Sequence, residues 1–274
     1  SDYGEIAVTY RPGHADFSFD SKFGFRDYRG GGRSSARETA ARVAAGAIAS
    51  KILSSMGIHL TAYTRSIGPV SISDDHFDPS AISETSTCMP DREADARASA
   101  FLAQCMKEHD SAGGVVECVV SGVPAGIGDP VFEKLDAMLS MAVMSIGAVK
   151  AVEIGDGIAA ASRKGSENND AFYADHGQIK KKTNHAGGIL GGISDGSEII
   201  LRAHFKPTPS IFQKQHTVTN TLENTELEIR GRHDPVVVPR AVVVVECMTA
   251  LTILDACMKN MTARLDYLVD FYQS

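Results

Sequence analysis

The sequence has little cysteine, no long apolar run and no excess of positive charge. Its five cysteines, Cys88, Cys105, Cys118, Cys247 and Cys257, are odd in number, widely spaced and form no C-x-x-C pair. That argues against a disulfide framework and against a zinc site, and reads as core thiols in a reducing compartment. No window holds the ~20 consecutive apolar residues of a membrane helix, and the N-terminus lacks the charged-then-apolar layout of a secretory signal. Twenty-seven basic against 34 acidic side chains leave a net charge of −7, so no general attraction for nucleic acid or an anionic membrane exists. Neither is expected as a partner, and the cytoplasm is the expected compartment, a plastid being the other. Chemical motifs are missing as well. There is no Gly-Lys-Ser/Thr loop, no strand followed by G-x-G-x-x-G and no metal-ligand spacing among the histidines, so nucleotide hydrolysis, a dinucleotide fold and a metal site lose ground.

What is present begins with a chain of 274 residues, 43% of them hydrophobic, enough to bury a large core. Twenty-five glycines gather in clusters such as Gly30-Gly31-Gly32, Gly113-Gly114, Gly187-Gly188 and Gly191-Gly192, which mark tight turns or loops that approach a ligand. Ala36, Ala40, Val43, Ala44, Ala47, Ile48 and Ile52 predict a helix over 35–53, with Ser35 and Glu38 at capping-box spacing. Further helices are predicted over 92–106, from an Asp129-Pro130 start through Ile146, and from about 241 to the C-terminal region. β-branched runs over 58–66, 114–120, 149–154 and 198–205 predict strands, and Ile6 to Tyr10 alternates like another. Residues 162–183 read as a long polar loop. Strands and helices alternate in an α+β pattern.

Several segments can carry chemistry. Arg26, Arg29, Arg33 and Arg37 surround the triple glycine just ahead of the first predicted helix. Guanidinium forks and free amides at a helix start favour an anion there; a solvated basic surface is the other reading. Arg11-Pro12-Gly13-His14-Ala15-Asp16 places an imidazole on a turn, and Gly231-Arg232-His233-Asp234-Pro235 repeats the theme. Lys206-Pro207-Thr208-Pro209-Ser210 is a stiff loop with a lysine and two hydroxyls, and Asn184 to Gly192 can bring bare backbone to a flat ring.

These blocks, with Val152-Glu153-Ile154-Gly155-Asp156-Gly157, run in the order found in the chorismate synthase family, which the chain resembles over nearly its whole length. The resemblance implies a β-α-β sandwich, with helices packed between two antiparallel sheets, as one domain over 1–274 assembled as a homotetramer. It implies anti-1,4-elimination of phosphate from 5-enolpyruvylshikimate-3-phosphate to give chorismate, with reduced FMN required, no net redox change and NADPH as a candidate reductant. His14 and Asp234 are the implied catalytic residues. Arg33, Ser34, Ser35, Gly147, Ala148, Gly191, Lys206, Pro207, Thr208, Pro209, Ser210 and Arg232 are implied at the flavin, and Arg11, Arg37 and Arg232 at the substrate. The family's N-terminal segment, with a Gly-Glu-Ser-His-Gly block and a second active-site histidine, is not among these 274 residues. That leaves an FMN- and phosphate-binding fragment without catalysis as the alternative. Flavoprotein oxidoreductase activity is a third expectation, carried by members that reduce their own flavin. Val236 stands where the family often has cysteine, and Gly147 where a larger residue is common.

Overall fold

The computed structural model describes residues 4–29, 31–229 and 234–273. Its helices are α1 (Gly4–Val8), α2 (Asp16–Phe23), α3 (Thr39–Ser55), α4 (Arg92–Lys107), α5 (Leu135–Met144), α6 (Gly165–Asn168), α7 (Val238–Asn260) and α8 (Leu265–Gln273). The strands are β1 (His59–Ile67), β2 (Val70–Ser71), β3 (Gly114–Ser121), β4 (Val149–Ile154), β5 (Phe172–Asp175), β6 (Gln178–Lys181), β7 (Ile189–Leu190), β8 (Ile193–Ser194), β9 (Ile199–Phe205), β10 (Gln215–Val218) and β11 (Asn224–Leu227). Five of them form one antiparallel sheet in the order β2-β1-β3-β9-β4, and the rest form two-stranded ribbons β5-β6, β7-β8 and β10-β11.

One face of the sheet is apolar because alternate residues of its central strands are: Val116, Cys118 and Val120 of β3 stand opposite Ala203, Leu201 and Ile199 of β9, all fully buried. Helix α7 covers this face over β1 and β3, with α3 and α5 packed on its flanks. The fold is therefore the mixed one expected, helices on an antiparallel sheet. At 23 residues, α7 is by length and composition long and apolar enough to cross a bilayer. Its position explains that composition, since Val238, Ala241, Val245, Ala250 and Ile253 are buried between the sheet and the other helices. Gly46 brings α3 close, because a Cβ there would collide with the Cβ and Cα of Cys247.

Several local expectations change. Ile6 to Tyr10 forms no strand of the sheet: α1 ends at Val8 and Thr9 bridges to Thr219 in the β10-β11 turn. The 35–53 helix starts at Thr39 after a 3₁₀ turn (Ala36–Glu38); Ser35 accepts from the Arg37 amide, and Glu38 turns forward to Arg42, so no capping box closes. Helix α5 begins at Leu135 rather than at Pro130, because Val131 adopts φ +67° and Lys134, at ψ 133°, is not helical. The 162–183 loop folds into the β5-β6 hairpin, and the last long helix begins at Val238 with proline in its first turn.

Candidate active site

The site assembles at one end of the sheet, where Ile67 pairs with Gly114, Gly114 with Phe205, and Phe205 with Val149. Strand β9 leaves the sheet there into the Lys206–Ser210 loop, and the Lys206 amide donates to the Ala148 carbonyl at 3.0 Å. Ser111 donates to the Thr208 carbonyl at 2.7 Å, and the Ala112 amide donates to the Pro235 carbonyl at 2.7 Å, which brings Asp234 to the same end. The turn at residues 11–14 rests on the loop. Gly13, at φ +71°, lies so close that a Cβ would stand 2.7 Å from Pro209 Cβ, and Lys206 Nζ donates to the Gly13 carbonyl at 2.5 Å.

His14 is held at both nitrogens, Nδ1 3.1 Å from the Pro12 carbonyl and Nε2 3.0 Å from Ser210 Oγ. A carbonyl only accepts, so Nδ1 carries the proton and Nε2 accepts from the serine hydroxyl. Burial, then the charges of Arg11 and Lys206, lower the imidazole pKa against the opposing Pro12 bond and Asp16 charge, so His14 is neutral near pH 7. Asp234 pairs with Arg240 Nη1 at 2.6 Å on the first turn of α7.

The arginines divide into two sets. Arg26 is 6% exposed and structural: it pairs with Asp16 at 2.8 Å and Asp20 at 3.3 Å, donates to the carbonyls of Ile6, Ala7 and Thr9, and covers the Tyr10 ring. Arg11 also turns to Asp16, through Nε and Nη2 at 2.8 Å each. Burial alone would raise the Asp16 carboxyl, but the Arg11 hydrogen bonds and both guanidinium charges outweigh it and hold it below the usual carboxylate range. Arg33 and Arg37, with Ser34 and Ser35, flank the start of α3 and are exposed or half-buried. No ion pair engages Arg33 or Arg37 among the described residues.

Two anchors orient α3. Its C-terminal end meets the opposite end of the sheet, where Gly57 touches Gly122, so its N-terminal end points back to the His14 side. There Arg42 donates to Ser145, two residues before the exposed Gly147 and the half-buried Ala148, whose φ is +73°. The site end thus gathers His14, Asp234, Gly147, Ala148, Lys206, Pro207, Thr208, Pro209, Ser210, Arg11 and the Arg33–Arg37 segment. Gly191 is elsewhere: the Gly191-Gly192 turn joins β7 to β8 and packs on the start of α5, where the Leu135 amide donates to the Gly192 carbonyl at 2.8 Å. At about 1.5 Å per residue, the length of α5 separates it from Ser145. Arg232 and His233 lie outside the described residues.

A second polar cluster had no signal beyond a lysine run. Lys181, 3% exposed, donates to Asp195 at 2.7 Å, Asn184 at 3.1 Å and Asp170 at 3.3 Å. Thr183 Oγ1 and the amides of His185 and Ala186 also donate to Asp170, whose carboxyl is held well below the usual range against the effect of burial. The Lys180–Lys182 run is thus anchored at its centre by Lys181. A cleft of about 330 Å³ between this hairpin and residues 195–198, lined by Phe172 and Ile179, is separate from the His14 cluster. Among the described residues no group of side chains could hold a metal ion.

Comparison with known proteins adds to this geometry. The family model described as chorismate synthase matches residues 1–258. A chorismate synthase of Agathobacter rectalis is 61% identical over 99% of this chain and 74% of its own length. One from Lachnoclostridium phytofermentans is 57% identical over 100% and 75%, and one from Archaeoglobus fulgidus 52% identical over 94% and 72%. A solved structure titled as the crystal structure of chorismate synthase superposes with a TM-score of 0.71 at 31% identity, covering 84% of this chain and 66% of that one.

Proposed function

The chain belongs to the chorismate synthase family, and we propose that it catalyses the anti-1,4-elimination of phosphate from 5-enolpyruvylshikimate-3-phosphate, giving chorismate and inorganic phosphate. In this reading it is a carbon–oxygen lyase serving the last step of the shikimate pathway and so aromatic amino acid biosynthesis. It needs reduced FMN, undergoes no net redox change and works as a cytoplasmic homotetramer, with NADPH as the candidate reductant. The observation that carries the reading is the meeting of a neutral imidazole, a carboxylate and a cationic rim at one sheet end, drawn from segments scattered over the whole chain.

The substrate bears a phosphate and two carboxylates. Arg33, Arg37 and the amide end of α3 supply fork donors and a positive helix terminus for them. Arg11 offers Nη1, the nitrogen its Asp16 pairing leaves over, and Arg232 joins them by its place in the motif. His14, its proton fixed on Nδ1, presents Nε2 as a proton acceptor on the flavin side of the site. Asp234, oriented by Arg240, takes part in proton transfer as the C6 hydrogen departs.

The residues present fit a flavin. Thr208 Oγ1 is buried without a hydrogen-bond partner among the described residues, in a loop stiffened by Pro207 and Pro209, and is a group that a ring carbonyl or nitrogen would satisfy. The Lys206–Ser210 loop, Gly147, Ala148, Arg33, Ser34 and Ser35 would hold FMN, with Arg232 assigned there by motif, while Gly191, on the β7-β8 turn, stands apart from this set. Held there, reduced FMN would supply the electron density that expulsion of phosphate calls for, without net redox change.

Anaerobic incubation of the chain with chemically reduced FMN and the substrate, with chorismate followed by absorbance, tests this. Chorismate should accumulate over many turnovers. Bound flavin without product would overturn the catalytic reading in favour of a binding fragment.

A further inference from the structure

We propose that Arg42 is a positioning residue that sets the spacing of the flavin and phosphate site by bracing the two segments that wall it; the inference rests on the flavin reading above. Arg42 lies in the first turn of α3. Its Nε donates to Glu38 Oε2 at 2.8 Å, while Nη1 and Nη2 donate to the hydroxyl and carbonyl of Ser145 at 2.5 and 3.3 Å. Glu38 closes the 3₁₀ turn that carries Arg37 and follows Ser35. Ser145 closes α5 and leads into Gly147 and Ala148. The guanidinium therefore joins the arginine–serine wall to the glycine–alanine wall directly.

The bonding is complete on both sides. The Ser145 hydroxyl gives its hydrogen to the Ala142 carbonyl at 2.6 Å, which leaves its lone pairs for Arg42. The guanidinium spends one edge on each wall, a geometry that a planar fork provides and a single ammonium does not. The brace has a task, because Ala148 holds φ +73°, a backbone state that a residue with a Cβ keeps only when its surroundings enforce it. The Lys206 amide holds Ala148 from the loop side, and Arg42 holds the same turn from α3. The sequence signal was the Glu38/Arg42 spacing of four, overshadowed by the arginines around the triple glycine.

The test is FMN affinity, read by quenching of flavin fluorescence, in wild type, Arg42→Ala, Arg42→Lys, Ser145→Ala and the Arg42→Ala/Ser145→Ala double variant, with flavin-free Tm measured for each. Arg42→Ala should raise the Kd about tenfold or more, with Arg42→Lys between it and wild type. The double variant should be no weaker than Arg42→Ala alone, as coupled residues require. Wild-type affinity in Arg42→Ala, or additive effects in the double variant, would overturn the inference. Should Arg42→Ala not fold, Arg42→Lys and Ser145→Ala carry the comparison. Should wild type itself bind no FMN, the flavin reading fails separately. Hydrogen exchange at residues 146–149 then decides the brace: faster exchange in the Arg42 variants upholds it, and unchanged exchange overturns it.

Discussion

His14 and Ser210 are 196 residues apart in the chain, yet His14 Nε2 lies 3.0 Å from Ser210 Oγ. This bond ties the first turn of the described chain to the loop that leaves the central sheet, and the rest of the site is arranged around it.

His14→Ala should lower turnover by about 10²–10⁴-fold, the usual loss of a positioned acid–base group, with FMN still bound. Steady-state kinetics check this, and wild-type turnover would remove His14 from the mechanism.

The depressed pKa of His14 also has a sign. Its unfolded value is near 6.5, and the folded value lies below it. The unfolded chain therefore takes up the proton first as pH falls. Stability from the neutral imidazole should be complete above pH 6.5 and be lost as pH falls toward the folded value. Denaturant titrations of wild type and His14→Gln should diverge only on that acid side, with wild type losing more.

Gly13→Ala should disturb the same contact from the backbone. Alanine at φ +71° costs roughly 1–2 kcal/mol, and the new methyl meets Pro209 at 2.7 Å. Because the turn must lift off the loop, turnover should fall about tenfold or more, by the sensitivity of catalysis to small displacements. A Tm and a kcat equal to wild type would contradict this.

Asp16→Asn should destabilise the chain by about 3–5 kcal/mol, because it leaves Arg26 buried with much of its charge uncompensated. The folded carboxyl pKa lies below 3.8, so its contribution is present above that value and lost as pH falls further. Urea unfolding at pH 7 and below pH 3 should show a large difference between variant and wild type at pH 7 and a smaller one in acid.

How much of this was legible in the sequence follows from where the information resides. Strands β1, β3, β4 and β9 and helix α4 were visible because their own periodicity matches their buried faces, as in Val116, Cys118 and Val120. The α5 start was not, since Asp129-Pro130 has the right residue types while Val131 takes a left-handed backbone. Arg26 and Arg37 look alike in the sequence. Only folding separates them, by giving Arg26 two carboxylates and three carbonyls while Arg37 stays exposed. The site blocks were legible as motifs, but their meeting at one sheet end depends on antiparallel pairing between residues far apart in the chain.

Lys181→Met should open the β5-β6 hairpin. It removes the cation between two buried carboxylates, a loss of about 3–5 kcal/mol for a broken buried pair, concentrated in this ribbon. Limited proteolysis should cut within 162–183 faster than in wild type, and equal protease resistance would contradict the anchoring role.

The most direct measurement of the central claim follows phosphate release and flavin redox state together, without oxygen, in one reaction with reduced FMN and 5-enolpyruvylshikimate-3-phosphate. Many phosphates should be released per flavin while the flavin stays reduced, as an elimination without net redox change requires. One flavin oxidised per phosphate, or no phosphate at all, would contradict the account.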